Sequence, residues 1–433
     1  MQRLLGFCFV LLMLVACSTI YPAPVPAANQ ATRQAAQAPT AAPTGAAPVH
    51  DRQPASTPVQ ATVPPADDPR AFLATFDGNP AAPQPWNGAD WDVTVHSRML
   101  GDSLPEIAAQ HGPDCGAPPA THTITSYADA VYQCRNHVMT AINGADYGAI
   151  YLTPDRMLDF SEGQATIRFD MSTLRSSERD WIDVWITPFE DNVQLPLEEW
   201  LPDLQGEPRR ALHIRMQLAG AQNEMTIFSA AVVRDFAYEK LPSRDAWHGY
   251  ETVLTPDAAR RDTFEIQVTQ SSIRVGMPEY NLWWVDTSFR ELGWDRGIVQ
   301  FGHHSYNPAK CDGCRPNTWH WDNMLLSPSV PFTIIKTDTA FASGDSPTRL
   351  VFKQPAPRNA HLRFAGIGNN LELSFDNGTT WTPASMQATK RHVEEHAHNY
   401  WTRIPAGTQE VLIRGSNWWG GGWLARSFSI WAP

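Results

Sequence analysis

The sequence predicts an all-β protein: a large two-sheet sandwich with Greek-key or jelly-roll connections, followed by a smaller β-sandwich. First, apolar and polar residues alternate with a period of two in short segments bounded by Pro, Gly, Asp and Asn, as at 212–218 and 263–268. Second, helical patterns are scarce, and only 126–134 and 256–261 resemble short helices. Third, 433 residues exceed the length of one ordinary domain.

Residues 1–17 have the pattern of an export signal. Arg3 precedes an apolar run that is too short to span a bilayer as a helix. The run ends in Leu-Val-Ala-Cys17, which resembles a bacterial lipobox. We therefore expect a membrane-anchored lipoprotein at the bacterial cell surface, held by lipid chains on Cys17. The alternative is an ordinary secretion signal with an incidental Cys.

Residues 18–69 form a predicted disordered tether. Between residues 21 and 69, Ala and Pro account for 25 of 49 positions, and Leu, Ile, Phe and Trp do not occur. Such a segment buries too little apolar surface to offset the entropy of ordering it. All 17 Trp follow it, beginning with Trp86. We expect the folded part to comprise a sandwich at 70–328 and a second one at 329–433.

The charge balance excludes one class of partner. The chain carries 45 acidic and 33 basic residues, for a formal net charge of −12. Nucleic-acid binding needs a basic surface, so we do not expect it. Docking on anionic lipid by charge alone is disfavoured for the same reason.

Four cysteines remain in the folded part of an exported chain, which predicts two disulfides. Local closure favours the pairs Cys115–Cys134 and Cys311–Cys314. The alternative for Cys311 and Cys314 is a zinc site, because their C-x₂-C spacing lies near several histidines in sequence.

Four motifs in order resemble the laminarinase-type glycoside hydrolases of family 16 and their lectin-like relatives. They are Phe-Asp77-Gly before Trp86, and the segments 163–169, 247–257 and 319–323. The resemblance covers residues 72–328 and implies a concanavalin A-like jelly roll. It also implies a structural calcium ion, for which Asp322 and Asp77 are the candidate ligands.

The resemblance fails at the catalytic strand. That family carries Glu-x-Asp-x-Glu, whose outer carboxylates share one face of a strand. This chain has no such motif; the corresponding segment begins Asp-Trp181-Ile-Asp183-Val-Trp185. We therefore do not transfer the hydrolase activity.

The same segment predicts a carbohydrate-binding surface. Trp181, Asp183 and Trp185 share one face, and three aliphatic residues share the other. Sugar rings stack on aromatic side chains and bond to carboxylates through their hydroxyls. The alternative is that both faces are buried and Asp183 is bonded internally.

Two further groups are candidate ligand contacts. The first comprises His303, His304, Tyr306 and His320, with His303 and His304 on opposite faces of a strand; the alternative is a hydrogen-bonded network at one end of the sandwich. The second comprises Trp418, Trp419 and Trp423 beside three glycines, as an exposed contact surface or a self-packed loop.

These observations predict a cell-surface lipoprotein that binds polysaccharide through an aromatic-lined cleft. The first alternative is an active polysaccharide hydrolase or lyase that uses the histidines or Tyr306 with an acid from another segment. The second is a structural or adhesive envelope protein whose aromatic side chains contact protein partners.

Overall fold

A computed structural model describes most of the chain after residue 67. The described residues are 68–86, 88–97, 114–116, 130–142, 147–175, 180–191, 208–219, 225–243, 261–306, 317–367, 369–385, 398–416 and 423–433. They form 27 β-strands and one short 3-10 helix. The all-β prediction is confirmed. Among these residues, no helix has the length and apolar character needed to cross a membrane.

The first 18 strands build the larger sandwich. Their bounds are β1 Phe72–Ala74, β2 Gln84–Pro85, β3 Trp91–Ser97, β4 Ala130–Cys134, β5 His137–Ile142, β6 Tyr147–Pro154, β7 Arg156–Asp159, β8 Ala165–Arg175, β9 Asp180–Thr187, β10 Arg210–Ala219, β11 Met225–Arg234, β12 Ala237–Lys240, β13 Asp262–Val268, β14 Ser272–Met277, β15 Leu282–Ser288, β16 Arg296–Tyr306, β17 Asn317–Ser327 and β18 Ser329–Pro331; the 3-10 helix covers Pro278–Tyr280.

These strands pair antiparallel in two sheets. Sheet A has the order β15-β14-β13-β8-β17-β5-β4-β2, with β1 beside β17. Sheet B has the order β12-β11-β10-β9-β16-β6-β3, and β7 joins β16 to β18. Consecutive strands such as β5 and β6, β8 and β9, and β16 and β17 lie in opposite sheets, as in a jelly roll.

The core of this sandwich lies between sheets A and B. Alternation along β9 sends Ile182, Val184 and Ile186 into this core. Phe301 of β16 and Trp321 of β17 meet there, with ring centroids 6.2 Å apart. The residues between the aliphatic ones on β9 therefore face outward from sheet B.

The last nine strands build the smaller sandwich. They are β19 Thr333–Lys336, β20 Phe341–Ser343, β21 Thr348–Val351, β22 His361–Ile367, β23 Asn369–Ser374, β24 Thr382–Pro383, β25 His398–Arg403, β26 Glu410–Ser416 and β27 Leu424–Ala432. Sheet C has the order β19-β27-β22-β25, with β20 also on β27, and sheet D has the order β21-β26-β23-β24. Their facing apolar side chains form a separate hydrophobic cluster.

The smaller sandwich contacts the larger one along β3, the last strand of sheet B. Buried Arg363 of β22 donates from Nη1 to the Asp92 carboxylate at 2.9 Å and to Thr94 Oγ1. Ser429 Oγ donates to the same carboxylate at 3.1 Å. The Val95 amide of β3 donates to Ser427 Oγ at 3.1 Å. Side chains of sheet C therefore cover the outer face and the edge of sheet B at β3.

Two local predictions have clear outcomes. Cys115 and Cys134 form the predicted disulfide, with their Cα atoms 5.7 Å apart. The helix predicted at 126–134 is wrong where it can be compared, because Ala130–Cys134 is strand β4, paired with β2 and β5. The apolar spacing there matched a helical turn, but two neighbouring strands take up its backbone groups. Residues 1–67, 256–260, Cys311 and Cys314 lie outside the described part.

Candidate functional site

Polar and aromatic side chains line the outer face of sheet B in rows that cross several strands. The registers place the first row as Asp92, Thr153, Gln300, Trp185, His213 and Lys240, the second as Thr94, Tyr151, Gly302, Asp183, Arg215 and Ser229, and the third as Ala149, His304 and Trp181. We call this surface the polar face. Adjacent strands lie about 4.8 Å apart, so side chains in one row touch.

Asp183 is at the centre of the polar face and is held by two histidines. His213 Nε2 lies 2.8 Å from its Oδ1 in a hydrogen bond. His304 Nε2 lies 2.7 Å from its Oδ2, within ion-pair distance. The carboxylate thus bridges β10 and β16 across its own strand β9.

Both tryptophans of the strand stack on these histidines. The Trp185 and His213 rings are 4.0 Å apart and nearly parallel, and the Trp181 and His304 rings are 5.0 Å apart and parallel within 6°. The Arg215 guanidinium lies 4.4 Å from the Trp181 ring centroid, at cation–π distance. The indoles therefore orient the imidazoles that hold Asp183.

Tyr151 completes the group, and Gly302 makes room for it. The Tyr151 hydroxyl lies 3.1 Å from His304 Nε2. A Cβ on Gly302 would lie 2.7 Å from the Tyr151 ring and 3.1 Å from His304 Nε2. Only glycine lets the Tyr151 ring cross β16 and reach His304.

Burial and neighbouring charges shift the pKa of Asp183 in opposite directions, and the same holds for His304. Burial alone would raise the pKa of Asp183, but the charge and hydrogen bonding of His304 and His213 hold it well below its ordinary value. Burial lowers the pKa of His304, although contact with Asp183 partly opposes this shift. We infer that Asp183 is ionised.

The expectation of an exposed Trp-Asp-Trp stripe is wrong in this structure. Trp181 is 6% exposed, Asp183 1% and Trp185 0%. The alternative, a buried face with Asp183 bonded internally, describes them correctly. Exposure instead increases toward β11 and β12, where Tyr238 is half-buried and Ser229 and Lys240 are exposed. The polar face therefore reaches solvent at that end.

The three histidines of the candidate group His303, His304, Tyr306 and His320 lie on different surfaces. His304 joins the polar face, whereas buried His303 bonds through Nδ1 to Thr140 Oγ1 at 3.0 Å between the sheets. Buried His320 lies on the other side of sheet A, 2.9 Å from His137 Nε2. Alternation along β16 separates His303 from His304, and the placement of β17 in the other sheet separates both from His320. The side chain of Tyr306 is outside the described part.

The expected calcium ligands do not fit the structure. Arg261 donates to the Asp322 carboxylate at 2.8 Å, and a guanidinium thus neutralises the charge that was expected to hold a cation. Asp77 is exposed. Among the described residues, the one grouping with metal-ligand spacing is Cys115, Cys134 and His137, and its two sulfurs form the disulfide.

The glycine-rich aromatic segment is described only at its end. Trp423 is 2% exposed and donates from Nε1 to Gly344 O at 2.7 Å, so it packs in the core of the smaller sandwich and is not an exposed contact. Trp418 and Trp419 lie outside the described residues.

Sequence reasoning missed His213, Arg215, Tyr151 and Arg363. A signal for the first two was present, because His213, Arg215 and Gln217 alternate with aliphatic residues along one strand. Tyr151 lies in an apolar strand and carries no such signal. Arg363 lies between Leu362 and Phe364, and its partner Asp92 is 271 residues away.

The strand order and the polar face define an all-β protein: a two-sheet jelly-roll sandwich followed by a smaller β-sandwich. No protein-family model and no curated protein match the chain.

Several solved structures are similar to part of the chain. The carbohydrate recognition domain of Emp46p, in its potassium-bound form, is 12% identical over 47% of this chain and 88% of that domain, with a TM-score of 0.32. A Bacillus licheniformis β-glucanase is 10% identical over 59% and 97%, with a TM-score of 0.32. A Mycobacterium tuberculosis pseudo β-1,3-glucanase, described as an immunostimulatory antigen, is 12% identical over 59% and 97%, with a TM-score of 0.34. Because these identities and TM-scores are low, we assign the jelly-roll architecture from the strand order of this chain alone.

Proposed function

We propose that the chain is an exported lipoprotein that binds polysaccharide on the polar face, at the end bordered by β11 and β12. The observation that supports this most is the change in exposure across one continuous face. Buried indoles and imidazoles fix its centre, and Arg215, Ser229, Tyr238 and Lys240 present an aromatic ring and hydrogen-bonding groups toward solvent. A ring with polar groups around it suits the apolar and hydroxyl-bearing surfaces of a sugar.

The central strand favours binding over hydrolysis. Trp181 and Trp185 occupy the outer positions of a five-residue pattern that would be Glu-x-Asp-x-Glu in the hydrolases that the sequence resembles. Asp183 is buried and engaged by two histidines. Glycoside hydrolysis generally needs two carboxyl groups that flank the bond, and the outward positions 181, 183 and 185 of this strand hold one.

Isothermal titration tests the proposal with the full-length protein in detergent, against β-glucan, mannan, xylan and agar. We expect binding to at least one, weakened by Tyr238→Ala about three- to tenfold, the loss of one aromatic contact of roughly 0.5–1.5 kcal/mol. The matched control is Tyr280→Ala, an exposed tyrosine beside sheet A, with unchanged affinity expected. Failure to bind any of the four polymers would reject the proposal.

The membrane anchor is tested separately at Cys17. We expect Cys17→Ala to release the protein from the membrane fraction, because two or more acyl chains supply the affinity there. A Cys17→Ala protein that stays in the membrane fraction and is processed normally would contradict the anchor.

A further inference from the structure

A groove lies between the two sandwiches, beside strand β3 of sheet B, and we call it the junction groove. It has a volume of about 400 Å³. The larger sandwich lines it with apolar residues that include Trp86, Val93, Val95 and Val131. Clefts of this size at the interface between two domains are common places for small-ligand sites.

Trp86 gives the junction groove an aromatic surface that is already held in position. It is half-buried, and its ring centroid lies 5.4 Å from that of Phe76 and 5.7 Å from that of Trp91, both in edge-on contacts. The three rings pack against the core of the larger sandwich. A ligand that stacks on this indole therefore does not have to order it first, which favours binding.

The smaller sandwich lines the groove with polar side chains that are also fixed. Lys336 Nζ, at the end of β19, donates to the carbonyl of Gly88 in the loop after the indole. The amide of Thr339 donates to Thr337 Oγ1 at 3.2 Å, and this local bond shapes the turn that carries exposed Asp338. The groove thus has one apolar wall and one wall of hydrogen-bonding groups.

The charged residues of the lining are of both signs. Lys336 and Arg426 are basic, and Asp92 and Asp338 are acidic. Ammonium, guanidinium and carboxylate groups all form hydrogen bonds with hydroxyl groups, whereas an ionic ligand would meet groups of its own charge. The lining therefore favours a neutral ligand that is rich in hydroxyl groups and has an apolar face.

We propose that the junction groove is a second carbohydrate-binding position, in which a neutral sugar ring of a polysaccharide stacks on Trp86 and bonds through its hydroxyls to Lys336 and Asp338. This inference rests on the proposed function, because it places a second part of the same polymer. Six strand spacings of about 4.8 Å separate β12 from β3, so the two positions lie roughly 29 Å apart along sheet B. A polymer long enough to occupy both binds more tightly than it would at either position alone.

Isothermal titration of the full-length protein in detergent tests the groove with long oligosaccharides cut from β-glucan, mannan and xylan. We expect Trp86→Ala to weaken binding about three- to tenfold, the loss of one aromatic contact. We expect Asp338→Ala to weaken it about two- to tenfold, the loss of one hydrogen bond. Because Asp338 is exposed, the second variant tests the groove even if Trp86→Ala does not fold.

Each variant has a matched control outside the groove. Trp283→Ala removes a half-buried tryptophan of sheet A, and Asp345→Ala removes an exposed aspartate of the smaller sandwich. We expect unchanged affinity in both. Trp86→Ala combined with Tyr238→Ala should multiply the two losses for a long oligosaccharide, because the free-energy effects of distant sites add.

The outcomes separate this inference from the proposed function. Unchanged affinity in both Trp86→Ala and Asp338→Ala would overturn the inference, and a loss in Tyr238→Ala would then retain the proposed function. A loss in the groove variants with none in Tyr238→Ala would support the groove and reject the exposed end of the polar face. Polygalacturonate is the charged comparison, and tighter binding of it than of every neutral chain would overturn the assignment of a neutral ligand.

Discussion

Two aspartates of this chain are held in their ionised form by opposite means. Asp183 is buried on the polar face, and its partners come from strands that lie 30 and 121 residues further along the chain. Asp376 is exposed, and its partners Ser374 and Thr380 lie two and four residues away. The pKa of both carboxyls is lowered, to about 2 for Asp376, where hydrogen bonds from Thr380 dominate. Long-range packing holds the first and a local turn holds the second.

Of the substitutions that test the buried cluster and the local turn, Asp183→Asn should cause the largest loss of stability. The substitution removes the charge that two histidines surround, and breaking a buried pair costs about 3–5 kcal/mol. We expect a loss of that size in the free energy of unfolding, measured by urea denaturation. A loss no greater than that of Asp376→Asn would show that the buried cluster contributes little to stability.

A buried histidine should make stability depend on pH. Burial, followed by the charge of Arg261, lowers the pKa of His137 to about 4. The folded state therefore disfavours the charged ring, so stability is full above pH 6.5 and is lost as the pH falls from about 6.5 to about 4. The expected loss is roughly 1–3 kcal/mol.

The measurement for His137 is urea unfolding at several pH values, in the wild type and in His137→Gln. We expect a flatter pH dependence in the variant across that window. An identical slope would assign the effect to another group.

Gly302→Ala should have an intermediate effect. The new methyl group meets the Tyr151 ring at 2.7 Å, and such overpacking typically costs about 1–3 kcal/mol. Thermal unfolding measures it. Gly116→Ala is the matched control, since a Cβ there meets no atom within 4 Å, and an unchanged melting temperature is expected.

Asp376→Ala should have the smallest effect, because solvent can replace the bonds of an exposed turn. We expect a small drop in melting temperature at pH 7 that disappears as the pH falls from about 4 to about 2, where the wild-type carboxyl also becomes protonated. A larger drop in melting temperature than the one caused by Asp183→Asn would show that the local turn at Asp376 contributes more to stability than the buried cluster around Asp183.

The difference between local and long-range contacts also explains which features the sequence could predict. Alternation predicted the strands, the two faces of β9 and the opposite orientations of His303 and His304. Short-range chemistry predicted the Cys115–Cys134 disulfide. The turn at Asp376 is likewise local, and Gly378 there has the positive φ of 87° that such a turn requires.

The sequence could not predict what covers each face. Trp181 and Trp185 have the spacing of an exposed binding stripe, but strands β10 and β16 place histidines against them. That pairing depends on the register between strands far apart in sequence. Trp423 was misread for the same reason, since Gly344, the partner of its indole N–H, lies 79 residues away.

The contact between Val95 and Ser427 bears on how the protein avoids association with its own copies. Among the described residues, β3 is the last strand of sheet B, and an open terminal strand offers unpaired backbone groups to any neighbouring chain. The smaller sandwich occupies that edge with a side-chain hydroxyl and with Arg363. A chain that stops at Pro331 would expose the edge and leave Asp92 without its cation, so we expect it to aggregate by strand addition. The smaller sandwich thus covers the edge of sheet B and should prevent another copy of the chain from pairing with β3.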